Sequence, residues 1–253
     1  MANSHDAESS VKAILRVRFG RTGPALWLAH LDLMRTFERS VRRADIPVHW
    51  SAGFNPRPDL VFALPIGVGL ETCADYVDIG LDDPTADSGM LVERLNLTLP
   101  EGMTALYGWG MPVSHESIMS RIAAADYLIE AAGVAAAAAE ALSQSSLMID
   151  KPSKGRILRV DIRPLVLQTL TDGPDRIRLR VKAGSRENLR PDLFLQSLVL
   201  YGQLDSAAAA DARLVRTGLY LTSQTGDRLV DPENNPMPDE PADCLAFRQE
   251  KRA

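Results

Sequence analysis

Residues 12–51, KAILRVRFGRTGPALWLAHLDLMRTFERSVRRADIPVHWS, read in turn as strand, helix and strand, and this alternation decides the fold class. In Lys12–Gly20 the residues Ala13, Leu15, Val17 and Phe19 fall on one face, and Lys12, Ile14, Arg16 and Arg18 on the other. A turn follows at Arg21–Pro24. Leu31–Ala44 then has helical spacing, with Met34, Phe37, Val41 and Ala44 on its apolar stripe. Arg35, Arg39, Arg42 and Arg43 lie on or beside its exposed face, and Glu38 is spaced to pair with Arg42. Asp45–Pro47 ends the helix, Val48–Ser51 reads as a short strand, and the loop Gly53–Pro58 (GFNPRP) interrupts it.

Working outward, Asp75–Leu81 alternates as a strand, and Gly89–Leu97 reads as a helix capped by Asp87 or Ser88. Thr104–Trp109 supplies the next strand, while Leu60–Val68 reads equally as a further strand or a structured loop. The order β-α-β-β-α-β is that of a ferredoxin-like module. The second half repeats it: a strand at Tyr127–Ala131, an Ala-rich helix at Ala135–Gln144 and a strand-like Leu147–Asp150. A long hairpin of Arg156–Thr171 and Arg176–Ala183 follows, then a helix at Pro191–Tyr201 and a strand at Arg213–Thr222. The expected fold is therefore α+β, two tandem ferredoxin-like modules with antiparallel sheets over residues 11–115 and 119–225. The acid- and proline-rich stretch from 226 to 253 is expected to be a mobile tail.

With 45% apolar and 24% charged residues, the 253-residue chain has the composition of a globular protein. No apolar run reaches the roughly 18–20 residues of a membrane span, and the acidic opening MANSHDAESS is unlike a signal peptide, so a cytoplasmic setting is expected. Cys73 and Cys244 are the only cysteines, too few for a four-thiolate zinc site or an iron–sulfur cluster built by this chain alone. His30, His49 and His115 have no ligand-like spacing, so no metal site is expected.

The net charge of −5 hides segregation: residues 11–60 carry a local +5, 61–150 a local −11 and 151–200 a local +6. In the hairpin, Ile177, Leu179, Val181 and Ala183 point one way, and Arg176, Arg178, Arg180 and Lys182 the other. With a turn over 172–175, Leu170 would oppose Ile177 and Val166 would oppose Val181, and Arg159 and Arg163 would join the basic face. Like charges across strands repel unless anions offset them. The expectation is an open cationic sheet face for a polyanion such as RNA, with an acidic protein as the alternative. An internal version packs the +6 segment on the −11 segment of the same chain.

Two constellations have chemical potential. His30 lies where the first loop meets the helix, and an imidazole with pKa near ~6.5 suits proton transfer at neutrality. A structural cap is an equal reading, and Asp32 suits the helix N-terminus. In GFNPRP the two prolines stiffen the chain around Phe54, Asn55 and Arg57, an aromatic beside a guanidinium able to stack a base and hold a phosphate. The plainer reading is a rigid turn whose Phe54 closes the core. Pro65–Gly69 lacks the Lys-Ser/Thr ending of a phosphate loop, and no catalytic triad, H-E-x-x-H or dinucleotide fingerprint is present.

The run LAHLDLMRTFERSVRRADIPVHWSAGFNPRPDLVFALPIGVG, with LNLTLPEGM and IRPLVLQTL further on, resembles the bacterial radical SAM-linked (radical SAM-associated) proteins, a domain family of unknown function. The resemblance covers roughly residues 11–200. It implies a domain fused to, or encoded beside, a radical SAM enzyme, with the iron–sulfur cluster and S-adenosylmethionine on that partner. His30, Asp32, Asn55, Arg35 and Arg57 are carried over as signature positions, not as known active residues. The functional expectation is a non-catalytic accessory that binds RNA or another phosphate-rich substrate through its basic sheet. Alternatives are a metal-independent RNA endonuclease using His30, and a protein adaptor docking on the radical SAM partner.

Overall fold

The structure is a computed structural model that describes residues 11–113, 116–153, 155–223, 225–226 and 228–243; His115 and Cys244 lie outside them. The chain divides into two compact units, Met1–Val68 with Tyr76–Ile118, and Gly69–Asp75 with Met119–Ala253. Both mix helices with a mostly antiparallel sheet. Among the described residues no helix is long and apolar enough to cross a membrane.

In the first unit the chain runs β1 (Ala13–Arg21), a 3-10 turn (Gly23–Trp27), α1 (His30–Arg43), β2 (Leu60–Phe62), β3 (Leu70–Leu81), α2 (Ser88–Asn96) and β4 (Met103–Met111). β4 lies antiparallel to β1, and β2 antiparallel to β3 with Leu60 opposite Ile79. The alternation in β1 sends Leu15, Val17 and Phe19 into a core completed by Leu33, Phe37 and Val41 of α1. Phe37 meets Phe19 and Phe62 edge-on at 5.0 and 5.3 Å, and burying each such ring stabilises by about 1.5–3 kcal/mol. Asp87 caps α2 by accepting the Met90 N–H at 2.7 Å. Val48–Ser51 makes isolated bridges, Val48 to Leu81 and Trp50 to Pro58, rather than the expected strand. Leu60–Val68 resolves into the three-residue β2 followed by a loop.

After the single turn α3 (Ile118–Arg121), the second unit runs β5 (Ile122–Glu130), α4 (Val134–Leu142), β6 (Met148–Ser153), β7 (Arg156–Asp161), a 3-10 turn (Arg163–Leu165), β8 (Val166–Thr171), β9 (Arg176–Lys182), α5 (Pro191–Tyr201), α6 (Ser206–Ala210), β10 (Arg213–Thr222) and β11 (Leu229–Val230). Its sheet is ordered β10-β5-β9-β8, with β11 and residues 70–72 of β3 also paired to β10. Ile177, Leu179 and Val181 are fully buried. The alanines of α4 let α5 approach so closely that a Cβ on Gly202 would stand 2.1 Å from the Ala137 carbonyl oxygen.

The long hairpin is corrected in two ways. Arg156–Thr171 is not one strand: β7 pairs with β6 in a separate ribbon, and the chain turns at Arg163-Pro164 before β8 begins. Pro164 has no N–H for a ladder, and the Asp161 carboxylate takes the Leu147 and Arg163 N–H groups at 2.8 and 3.0 Å, which closes the turn. The register also differs. Asp172 N–H bonds the Arg176 carbonyl at 3.0 Å, so Leu170 faces Arg178 and Thr171 faces Ile177. A bulge between Val166 and Gln168 restores the expected Val166–Val181 pair.

Candidate functional site

β9 places its four cations as the alternation requires, but each already has an anion. Arg178 bonds Asp172 at 2.7 Å and Glu240 at 3.3 Å, Arg176 bonds Asp243 at 2.6 Å, and Lys182 bonds Glu187 at 2.9 Å. Arg180, 3% exposed, lies bidentate on the wholly buried Asp126 at 2.8 and 2.9 Å. The second Asp126 oxygen also accepts the Tyr220 hydroxyl and the Ala242 N–H, both at 2.7 Å. Residues 238–242 form a strap over this site: Arg180 donates to the carbonyls of Pro238 at 2.7 Å and Glu240 at 2.9 Å, and Arg178 to that of Pro241 at 2.8 Å. The expectation of an open cationic face is corrected, because neighbouring carboxylates and the strap occupy it. Arg159 sits on β7 and Arg163 in the 3-10 turn, so neither joins the β9 face.

The electrostatics follow from these contacts. Burial opposes the charge of Arg180, but the Asp126 carboxylate outweighs it, and the guanidinium is held above its ordinary value. Asp172, through its hydrogen bond, holds Arg178 up as well. Burial, reinforced by the Asp126 charge, pushes the Tyr220 phenol well up, so it stays neutral and donates. β10 repeats the pattern. Arg213 bridges Glu71 and Glu130 at 2.7 and 2.6 Å, and Arg216, 2% exposed, meets Asp75 at 2.5 Å. These ion pairs tie neighbouring strands in register, and among the described residues one carboxylate oxygen of Asp75 is buried without a hydrogen-bond partner.

In the first unit the signature residues separate. The His30 ring packs edge-on against Phe62 at 5.7 Å, beside the aromatic core. Asp32 occupies the first turn of α1 and makes a long 3.4 Å contact to Arg35, both side chains more than half exposed. Such a pair contributes little. The buried guanidinium of Arg21 ties the Leu28 carbonyl, at 2.9 Å, and the Gly67 carbonyl together. Arg42 does not pair with Glu38 but lies over the Trp50 ring, 4.9 Å from its centroid.

Loop 51–57 is exposed throughout. Its base is fastened by the Trp50–Pro58 bridge, the Arg57 N–H to the Ser51 Oγ at 3.0 Å, and the Arg42–Trp50 contact. Phe54 at its tip is fully exposed, at 101% of the reference area, so it does not close the core. Asn55 and Arg57 stand beside it, also exposed.

Residues 15–191 match a family model described as an uncharacterized protein conserved in bacteria, DUF2344. The chain belongs to this family. No curated protein matches it. The family match begins in β1 and ends at the start of α5, so it takes in α1, loop 51–57 and the β9 cations. The strap and the β10 arginines lie beyond it. Sequence reasoning missed Asp126, Tyr220 and the strap. The one available signal was the local −11 of residues 61–150, which contains Asp75, Asp126 and Glu130.

Proposed function

We propose that this chain is a non-catalytic accessory of a radical SAM enzyme and docks on that partner through loop 51–57. The observation that carries this reading is Phe54, a large apolar side chain held fully in solvent on a loop whose base is fastened at three points. An exposed aromatic on a stiffened loop has already lost much of the entropy that binding would cost, and aromatics with arginine dominate interface hot spots. Arg57 supplies the second anchor. The resemblance of the surrounding run to radical SAM-linked proteins supports the choice of partner, which would carry the iron–sulfur cluster and S-adenosylmethionine. The ferredoxin-like reading of both units belongs to the same proposal. Its support is the order β4-β1-β3 with β2 on β3 in one unit and β10-β5-β9-β8 in the other. A cytoplasmic setting goes with it. With the β9 cations already paired, the argument for RNA on that face loses its premise, and the packing of His30 on Phe62 favours the structural reading of that residue.

The test is co-purification of the full chain with the radical SAM protein encoded by the same genome, with and without nuclease. Nuclease-resistant retention that falls at least about tenfold for Phe54→Ala and for Arg57→Glu is expected, since a hot-spot residue contributes about 2 kcal/mol or more. Retention that both variants leave intact overturns the loop assignment, and retention abolished by nuclease replaces the protein partner with RNA.

A further inference from the structure

The first unit contains a cleft of about 360 Å³ between α1, the 3-10 turn and the loop before β4, within the size range of small-molecule sites. Pro24, Ala25, Leu28 and Pro100 give it apolar walls, and Arg39, Arg43 and Glu101 line it with charge. The walls are firmly set. Gly102, at φ +84°, accepts the Thr22 N–H at 2.8 Å, and a Cβ there would strike the Thr22 carbonyl, so only glycine permits this approach.

The polar groups divide sharply. Thr36 donates its hydroxyl to the Asp32 carbonyl at 2.7 Å, Ser40 to that of Thr98 at 3.2 Å, and Thr98 to those of Ser40 and Leu95 at 3.0 and 2.9 Å. Their protons are committed within the fold. The guanidiniums of Arg39 and Arg43 are not, because among the described residues neither has an ion-pair partner. They are one helical turn apart, the spacing at which like charges destabilise a helix, and Glu101 lines the same cleft without bonding either. Two forked cations lining an apolar-walled recess, neither of them paired, suit an anion with two charged oxygens.

We propose that this cleft binds a compact dianion, a phosphate monoester or a dicarboxylate, held by Arg39 and Arg43 with its body against Pro24, Leu28 and Pro100. Glu101 repels such a ligand and sets the affinity low. The inference is independent of the docking loop, which lies outside the cleft.

Inorganic phosphate and succinate, titrated separately into the isotope-labelled full chain at low salt, separate the two sources. Saturable resonance shifts in residues 36–43 and 98–102 are expected for at least one of them. Arg39→Ala and Arg43→Ala should each weaken binding by about tenfold or more, as loss of a charge-assisted pair does. Glu101→Gln should tighten it several-fold, and Arg186→Ala, on the second unit, should leave it unchanged. Failure of both anions to give saturable shifts overturns the proposal. So does binding indifferent to Arg39→Ala and Arg43→Ala, or weakened by Glu101→Gln.

Discussion

Replacing Asp126 by alanine removes one carboxylate and strands four donors: two guanidinium N–H groups of Arg180, the Tyr220 hydroxyl and the Ala242 N–H. The phenol and the amide reach water only as the strap loosens, which keeps their share below the about 1–3 kcal/mol of a donor stranded in the interior. Arg180 cannot, because its side chain is only 3% exposed and its guanidinium remains charged at any accessible pH. An uncompensated buried charge costs about 3–5 kcal/mol, a large part of the 5–15 kcal/mol that holds a typical domain folded. Asp126→Ala should therefore lower the urea midpoint, read by circular dichroism, by an amount equivalent to about 3–5 kcal/mol. Adding Arg180→Met to the same chain should recover at least about 1 kcal/mol, since the double variant no longer buries a lone cation. The strap provides an independent reading: without the Asp126 acceptor, residues 238–242 should become a protease cleavage site in the folded protein. A cost below about 1 kcal/mol, or a double variant less stable than Asp126→Ala alone, would refute the assignment of Asp126 as the counter-charge that organises β9.

Tyr220→Phe should cost about 1.5–3 kcal/mol at neutral pH through the lost bond to a charged acceptor. It should also flatten the alkaline limb. Because the folded phenol is held above its ordinary value of about 10, its stabilisation is complete below that pH and is lost as pH rises beyond it; urea midpoints at alkaline pH should fall in the wild type and fall less in the variant. Gly202→Ala should destabilise by about 1–3 kcal/mol or more through overpacking of α4 on α5, measured by thermal melting. Asp161 is held below the ordinary carboxylate range chiefly by the Leu147 N–H, so the β6–β7 ribbon should keep its amide protection above that range and lose it as pH falls through the depressed value. Asp161→Ala should abolish that protection at neutral pH, read by hydrogen exchange.

The elements of the first unit were legible wherever one periodicity ran unbroken. Leu15, Val17 and Phe19 of β1 and Phe37 and Val41 of α1 lie in the core, because a one-residue slip would have exposed the three β1 residues together. Legibility failed where a side chain competes with the backbone for its partners. Alternation carries straight through Arg156–Thr171, and only the Asp161 carboxylate and Pro164 break it. Phe54 was ambiguous for another reason: its exposure depends on Trp50 and Pro58 closing the loop beneath it, which no local pattern records. The β9 face was read correctly as to direction and wrongly as to vacancy. Which strand lies beside β9 is a matter of topology, and β5 brings Asp126 directly opposite Arg180.

That pairing accounts for part of the charge segregation that first pointed to a polyanion. Four acids of residues 61–150 meet cations beyond residue 150 inside the second unit, Asp126 on Arg180, Glu130 on Arg176 and Arg213, Glu71 on Arg213, and Asp75 on Arg216, while Asp78 meets Arg16 in the first. The late acids Glu240 and Asp243 complete the set. Adjacent strands of opposite charge recognise each other in register, and the wrong register would juxtapose like charges at a cost of several tenths of a kcal/mol per pair, up to ~1. Segregation of sign along a chain is thus a means of specifying strand order as well as a mark of external partners. The cations that bear on recognition are those left over after internal pairing. In the first unit these include Arg39, Arg43 and Arg57, all exposed, all within residues 11–60 where the local charge is +5, and all inside the stretch that the family shares. β9 and β10 of the second unit consume their charge in folding. α1 and the loop that follows it do not, and the search for a ligand or partner belongs there.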